Sequence, residues 1–121
     1  MIKVLLVDDD LPNLRLLEAE LEDNCGLKKS QLRTAQTGEK GMEIFKQEDF
    51  DLVVLDFNLP GIDGLEVYKK MKDLRPKTAV MMFSGYRDNY PGIPEENCAF
   101  KSFLGLDELL EYVRTQMSGG T

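Results

Sequence analysis

The chain has 121 residues, 42% of them hydrophobic, and a formal net charge of −7. That length suits one domain with a real core, and the acidic balance argues against nucleic-acid binding, which rests on basic charge neutralising phosphates. No apolar run approaches the roughly 20 residues that span a bilayer, and with no histidine present, histidine metal sites and Ser–His or Cys–His catalysis are excluded.

Ile2 to Val7 is a short apolar run that suits a buried strand. Acids follow it and no small-residue cleavage site does, so it does not read as a signal peptide. The run ends in Asp8, Asp9 and Asp10. Adjacent carboxylates repel one another unless a cation sits among them or they splay into water. Asp10 has a structural explanation as the N-cap of a helix with Pro12 in its first turn and Leu14, Leu17 and Leu21 on one face. Asp8 and Asp9 are left at the strand end. Asn24 and Gly26 close that helix, and distant Cys25 and Cys98 form no CxxC or zinc pattern. They read as reduced thiols of a cytoplasmic protein. Gln31 to Ala35 is a half-polar strand nearer an edge, and Thr37 and Gly38 begin a second helix carrying Met42 and Phe45.

Leu52 to Leu55 is a continuous apolar run that stops at Asp56. Asn58, Pro60, Gly61, Asp63 and Gly64 follow, which is turn chemistry. Asp63 can cap a third helix with Val67, Met71 and Leu74 at helical spacing, and Pro76 stops it. Thr78 to Phe83 is another buried strand, ending at Ser84 and Gly85. Tyr86 to Asn97 holds Pro91, Gly92 and Pro94 without an apolar period, which argues against a full helix. Cys98 to Phe100 is a short strand ending at Lys101. Gly105 and Leu106 open a last helix with Leu106, Leu109, Leu110, Val113 and Met117 in one stripe. Residues 1–117 make the domain, and residues 118–121 read as a flexible tail or truncated linker.

Five strands alternating with helices through short connections imply a doubly wound α/β fold with a parallel sheet. Parallel strands share one carboxyl edge, where open α/β sheets place their ligands. Asp8, Asp9, Asp56, Ser84 and Lys101 all follow or end strands and so converge there. Clustered carboxylates suit a hard cation such as Mg²⁺, which shares its remaining ligands with water and phosphate oxygens. A carboxylate can itself be the nucleophile and form an acyl phosphate. Phosphoryl transfer needs mainly positioning and charge neutralisation. Mg²⁺, Lys101 and Ser84 would each serve one phosphoryl oxygen.

The motifs VLLVDDD, VVLDFNLPGIDG, MMFSG and AFKSF, in this order, resemble the receiver domain of two-component response regulators. The resemblance covers residues 1 to about 117 and implies a flavodoxin-like sheet of order 2-1-3-4-5. It implies that Asp56 accepts a phosphoryl group, that Asp9 binds Mg²⁺ directly with Asp8 acting more through water, and that Asn58 offers the metal its backbone carbonyl. Ser84 takes the place of the switch hydroxyl, Lys101 that of the phosphate-binding lysine, and Asn58 and Tyr86 flank the site and tune hydrolysis. The implied donor is the phosphohistidine of a sensor histidine kinase or histidine phosphotransfer protein. The expected outcome is a switch in binding to an output partner. Such a domain is not a turnover enzyme, although it catalyses its own phosphorylation and dephosphorylation.

Three features depart from the pattern. The helix expected after Ser84, fourth in the family's order, is shortened or missing. Cys98 occupies the place of the aromatic switch residue. Ser102 follows Lys101 where the family has a cis proline, and a cis bond before serine costs about 2.5–4 kcal/mol against about 0.5–1 before proline. These departures motivate an alternative, a receiver-fold interaction module with phosphorylation-independent output. A haloacid-dehalogenase-like phosphatase would need a second aspartate where Asn58 stands, and a flavodoxin-like cofactor protein would need a Ser/Thr/Gly-rich phosphate loop.

Overall fold

The computed structural model describes residues 2–57, 59–84, 98–100 and 103–119, with the backbone alone at 84, 98–100, 103–105 and 117–119. The strands are β1 (Val4–Val7), β2 (Leu32–Ala35), β3 (Leu52–Leu55), β4 (Ala79–Ser84) and β5 (Cys98–Phe100). The helices are α1 (Leu11–Cys25), α2 (Gly38–Gln47), α3 (Gly64–Leu74) and α4 (Phe103–Gly119). All pairings are parallel and the sheet order is β2-β1-β3-β4-β5, as expected. The expected shortening of the helix after Ser84 concerns residues 85–97, outside the described residues.

Side chains alternate across a strand, so β1 and β3 divide their apolar residues between two cores. Val4, Leu6, Leu52 and Val54 pack with Leu14, Leu17 and Leu21 of α1 and Leu109, Leu110 and Val113 of α4. Leu5, Val7, Val53 and Leu55 pack with Met42 and Phe45 of α2 and Val67 and Met71 of α3. This explains why the two strands read as unbroken apolar runs: neither face meets water. The edge strand β2 keeps Leu32 and Ala35 buried and exposes Thr34, matching its half-polar reading.

Several boundaries differ from expectation. Gln31 belongs to a 3₁₀ turn before β2, where its side chain donates to the Ile2 carbonyl (2.8 Å) and accepts from the Lys28 amide (2.9 Å). Asp10 stands at the N-cap of α1, but its side chain makes no capping bond. Its own amide donates to the Asp8 carboxylate instead (2.9 Å). Thr37 and Asp63 cap as expected, accepting from the amides of Lys40 (3.1 Å) and Glu66 (2.8 Å). The last helix starts at Phe103, with Gly105 inside its first turn, and runs to Gly119. Cys25 is a core residue, its thiol pushed up by burial and drawn partly back by Arg114.

Leu74 is in phase with Val67 and Met71, yet it is exposed while Tyr68 is buried with them. The place beside Phe45 is taken by Arg75, whose guanidinium lies 4.6 Å from the Phe45 ring centroid. That guanidinium donates to the carbonyls of Phe45 and Lys46 in the last turn of α2. Its ion pair with Asp49 counts for little, because Asp49 is fully in water. Arg75→Ala should therefore lower stability by about 1–2 kcal/mol, through the lost ring contact and carbonyl partners. Arg75→Lys should recover less than half of that in urea denaturation, since an ammonium cannot serve both carbonyls and the ring together. Full recovery would show that charge alone matters.

Candidate functional site

Register brings Asp8 and Asp56 together. Val7 pairs with Leu55, so the residues that follow lie side by side at the carboxyl edge of the sheet. The ladder extends past both strands: the Asp8 amide donates to Ala35 (3.0 Å) and the Asp56 amide to Val7 (2.9 Å). Both aspartates continue the alternation of Val4, Leu6, Leu52 and Val54, and therefore fall on the α1 side of the sheet. Both are buried, whereas Asp9 is exposed at the mouth. A carboxylate oxygen of each of Asp8, Asp9 and Asp56 lies within 4.8 Å of the others.

Local interactions hold these side chains in place. Asp8 accepts from the Asp10 amide on one oxygen and from Asn13 Nδ2 (2.5 Å) on the other, which orients its carboxylate from the first turn of α1. The chain after Asp56 is shaped by Gly64. Its amide donates to the Phe57 carbonyl (2.9 Å), and a Cβ there would lie 2.5 Å from the Asp56 carbonyl oxygen and 2.6 Å from Phe57 Cα. Only glycine lets α3 begin this close to the acceptor backbone. α2 abuts the end of β1 in the same way, since a Cβ on Gly41 would lie 2.9 Å from Val7 Cγ2.

Ser84 is the last residue of β4 and pairs with Phe100 of β5, so its backbone lies at the same sheet edge. Its side chain is outside the description, as are Asn58, Tyr86, Lys101, Ser102 and the side chain of Cys98. The expectations for a switch hydroxyl, a phosphate-binding lysine, a carbonyl ligand and a cis peptide therefore lie beyond the described residues. Asn13, Gly64 and Glu39, which meets the loop after β3, were not singled out as site residues from the sequence. The glycine in the Asp63–Gly64 pair was the available signal, but turn chemistry explained it first. Asn13 and Glu39 are ordinary polar residues of helical segments and carried none.

Chemically, three carboxylates with two of them buried make a hard, oxygen-only donor set. Like charges this close favour a divalent cation, and the set lacks the sulfur or imidazole that softer metals prefer.

The family model described as the response regulator receiver domain matches residues 4–93. Over 83 residues the chain is 31% identical to the cell cycle transcriptional regulator CtrA of Caulobacter vibrioides, an alignment covering 69% of this chain and 34% of that protein. The chain thus spans about a third of the length of that curated relative. Among solved structures, it is similar to the response regulator protein TrrA of Thermotoga maritima in complex with Mg²⁺-BeF, at TM-score 0.78 and 31% identity over 96% of this chain and 99% of that one. It is also similar to a chain in the complex of histidine kinase ThkA with TrrA, at TM-score 0.79 and 30% identity over 97% and 99%. Among the described residues no helix is long and apolar enough to cross a membrane.

Proposed function

Because the chain belongs to the response regulator receiver domain family and so serves phosphorylation-based signalling, we propose that Asp56 is the residue that takes the phosphoryl group. The observation that carries this reading is the convergence of Asp8, Asp9 and Asp56 within 4.8 Å at one sheet edge. Of the three, Asp56 directly follows the central strand β3 and opens the loop that Gly64 closes. Asp8 has a donor on each oxygen, which holds its carboxylate in place beside Asp56.

In this reading an ionised Asp56 oxygen attacks phosphorus in line with the donor's leaving atom. The O–P bond forms as the bond from phosphorus to the donor's imidazole nitrogen or acyl oxygen breaks, and the leaving group keeps the electron pair. No base is required, because the nucleophile is already deprotonated. The product is a labile aspartyl phosphate that water later cleaves.

The donor set fits Mg²⁺: Asp9 and Asp56 would hold it with the Asn58 carbonyl, and Asp8 would act through water. When bound, the ion supplies positive charge for the phosphoryl oxygens. Lys101 and Ser84 would meet the remaining oxygens, by their places after β5 and at the end of β4. The domain is a signalling unit, and it would promote its own phosphorylation and dephosphorylation while a histidine kinase or phosphotransfer protein supplies the group. TrrA, solved with a histidine kinase and with Mg²⁺-BeF, is the relative that supports this donor and this cation.

Incubation with acetyl phosphate and Mg²⁺ should give one base-labile phosphoryl adduct by intact mass. Chelating the cation should slow its formation at least about a hundredfold, the scale of losing an electrostatic clamp on a transferred phosphoryl group. A wild-type chain that stays unmodified by acetyl phosphate and by every phosphohistidine donor tried would sink the reading.

A further inference from the structure

The eight-residue stretch from Asp56 to Asp63 joins β3 to α3. Its base is tied by the Gly64 amide on Phe57. Its far end meets α2, an element with no part in the proposed chemistry. There the Ile62 amide donates to Glu39 Oε1 at 2.9 Å. Glu39 lies in the first turn of α2, where the positive end of the helix dipole favours its charge.

Two glycines make this contact possible. Gly61 has φ +78°, a conformation that L side chains rarely adopt, and a Cβ on it would lie 2.8 Å from Glu39 Oε1. Gly38, beside Glu39, leaves room for Ile62: a Cβ on it would lie 2.5 Å from Ile62 Cγ2. One carboxylate, one amide and two residues without side chains thus close α2 onto the loop. A charged acceptor on a main-chain N–H is stronger than a neutral one, and it opposes any rotation of the Gly61–Ile62 peptide.

We propose that Glu39 is a positioning residue for phosphoryl transfer: its carboxylate clamps the Ile62 amide and so holds the main chain after Asp56 in the single conformation that cation and donor require. This rests on the reading of Asp56 as acceptor. The loop belongs to the same main chain as Asp56 and the proposed carbonyl ligand, so its drift would misplace the acceptor carboxylate and that ligand together. Glu39 touches neither donor nor phosphorus.

The test uses the full chain with Mg²⁺ alone and then with acetyl phosphate. Glu39→Ala should move the Ile62 amide proton upfield in NMR spectra taken without metal. It should also raise the Mg²⁺ dissociation constant measured by calorimetry, and lower the phosphorylation rate constant, each about tenfold. Glu39→Gln keeps an oxygen acceptor on the same stem and should stay within about threefold of wild type in both. A Glu39→Ala chain with wild-type Mg²⁺ affinity and rate overturns the proposal, however far its melting temperature falls. If Glu39→Ala does not fold, Glu39→Asp serves, since its shorter stem withdraws the carboxylate from the Ile62 amide. The same weakening of Mg²⁺ binding supports the clamp, and unchanged binding overturns it. A wild-type chain that accepts no phosphoryl group at all sinks the Asp56 reading and the clamp with it. A reactive wild type with an equally reactive Glu39→Ala sinks the clamp alone.

Discussion

Asp56→Asn should abolish the phosphoryl adduct and, without Mg²⁺, make the fold more stable. The amide is almost isosteric with the carboxylate, and the Asp56 main-chain bond to Val7 is unaffected. What disappears is the anionic nucleophile. An amide oxygen lacks the charge to attack phosphorus. The stability change has a separate cause. Three carboxylates share one small volume, and Asp56 is only 5% exposed. At an effective dielectric near 20, one pair of unit charges about 4 Å apart repels by up to about 4 kcal/mol. Part of that is offset by hydrogen bonding and solvent, so a net gain of about 1–2 kcal/mol in urea denaturation is expected. Saturating Mg²⁺ should reverse the order, because wild type gains stability from an ion that the variant binds less well. Retention of one base-labile adduct per chain in Asp56→Asn would overturn the acceptor assignment. An unchanged urea midpoint would show that the cluster's charges are already compensated without the ion.

Gly64→Ala should destabilise the domain by about 3 kcal/mol and weaken Mg²⁺ binding with it. Two effects compete here. Alanine is the better helix former, by up to about 1 kcal/mol in a helix interior and less in the first turn. Against that, the new Cβ would meet the Asp56 carbonyl at 2.5 Å, Phe57 Cα at 2.6 Å and the Phe57 carbonyl at 2.7 Å. All three are backbone atoms, so no rotamer change relieves the contact. Either α3 retreats from the loop or the loop shifts, and both disturb the chain that carries the acceptor. The clash therefore outweighs the propensity gain. A variant of wild-type stability and wild-type Mg²⁺ affinity would show that this approach is not required.

The sheet was legible because burial on both faces leaves a plain mark. Ile2–Val7, Leu52–Leu55 and Thr78–Phe83 are apolar runs too short for helices, and each became a central strand with little change. Thr37 and Asp63 were legible as caps because a cap depends on the residue and its immediate neighbours. Asp10 was legible only as a position. Its side chain makes no capping bond, and its amide goes to the Asp8 carboxylate, which depends on where Asp8 points. Leu74 likewise followed the helical period of α3 and stayed exposed, because Arg75, just past the end of that helix, fills the place beside Phe45.

By itself, the sequence determined the strand–helix alternation and the parallel sheet that follows from it. It also determined which acids stand at strand ends, because these depend on hydrophobic period and on residues adjacent in the chain. Tertiary structure decided what depends on distance between segments far apart. Register set Asp8 beside Asp56, and α1 supplied Asn13 to orient Asp8. Gly64 proved to be needed for a close approach to the acceptor's own backbone, and Glu39 reached across from α2 to the loop. No periodicity or propensity encodes such contacts, since each involves one residue meeting one main-chain group from another part of the chain.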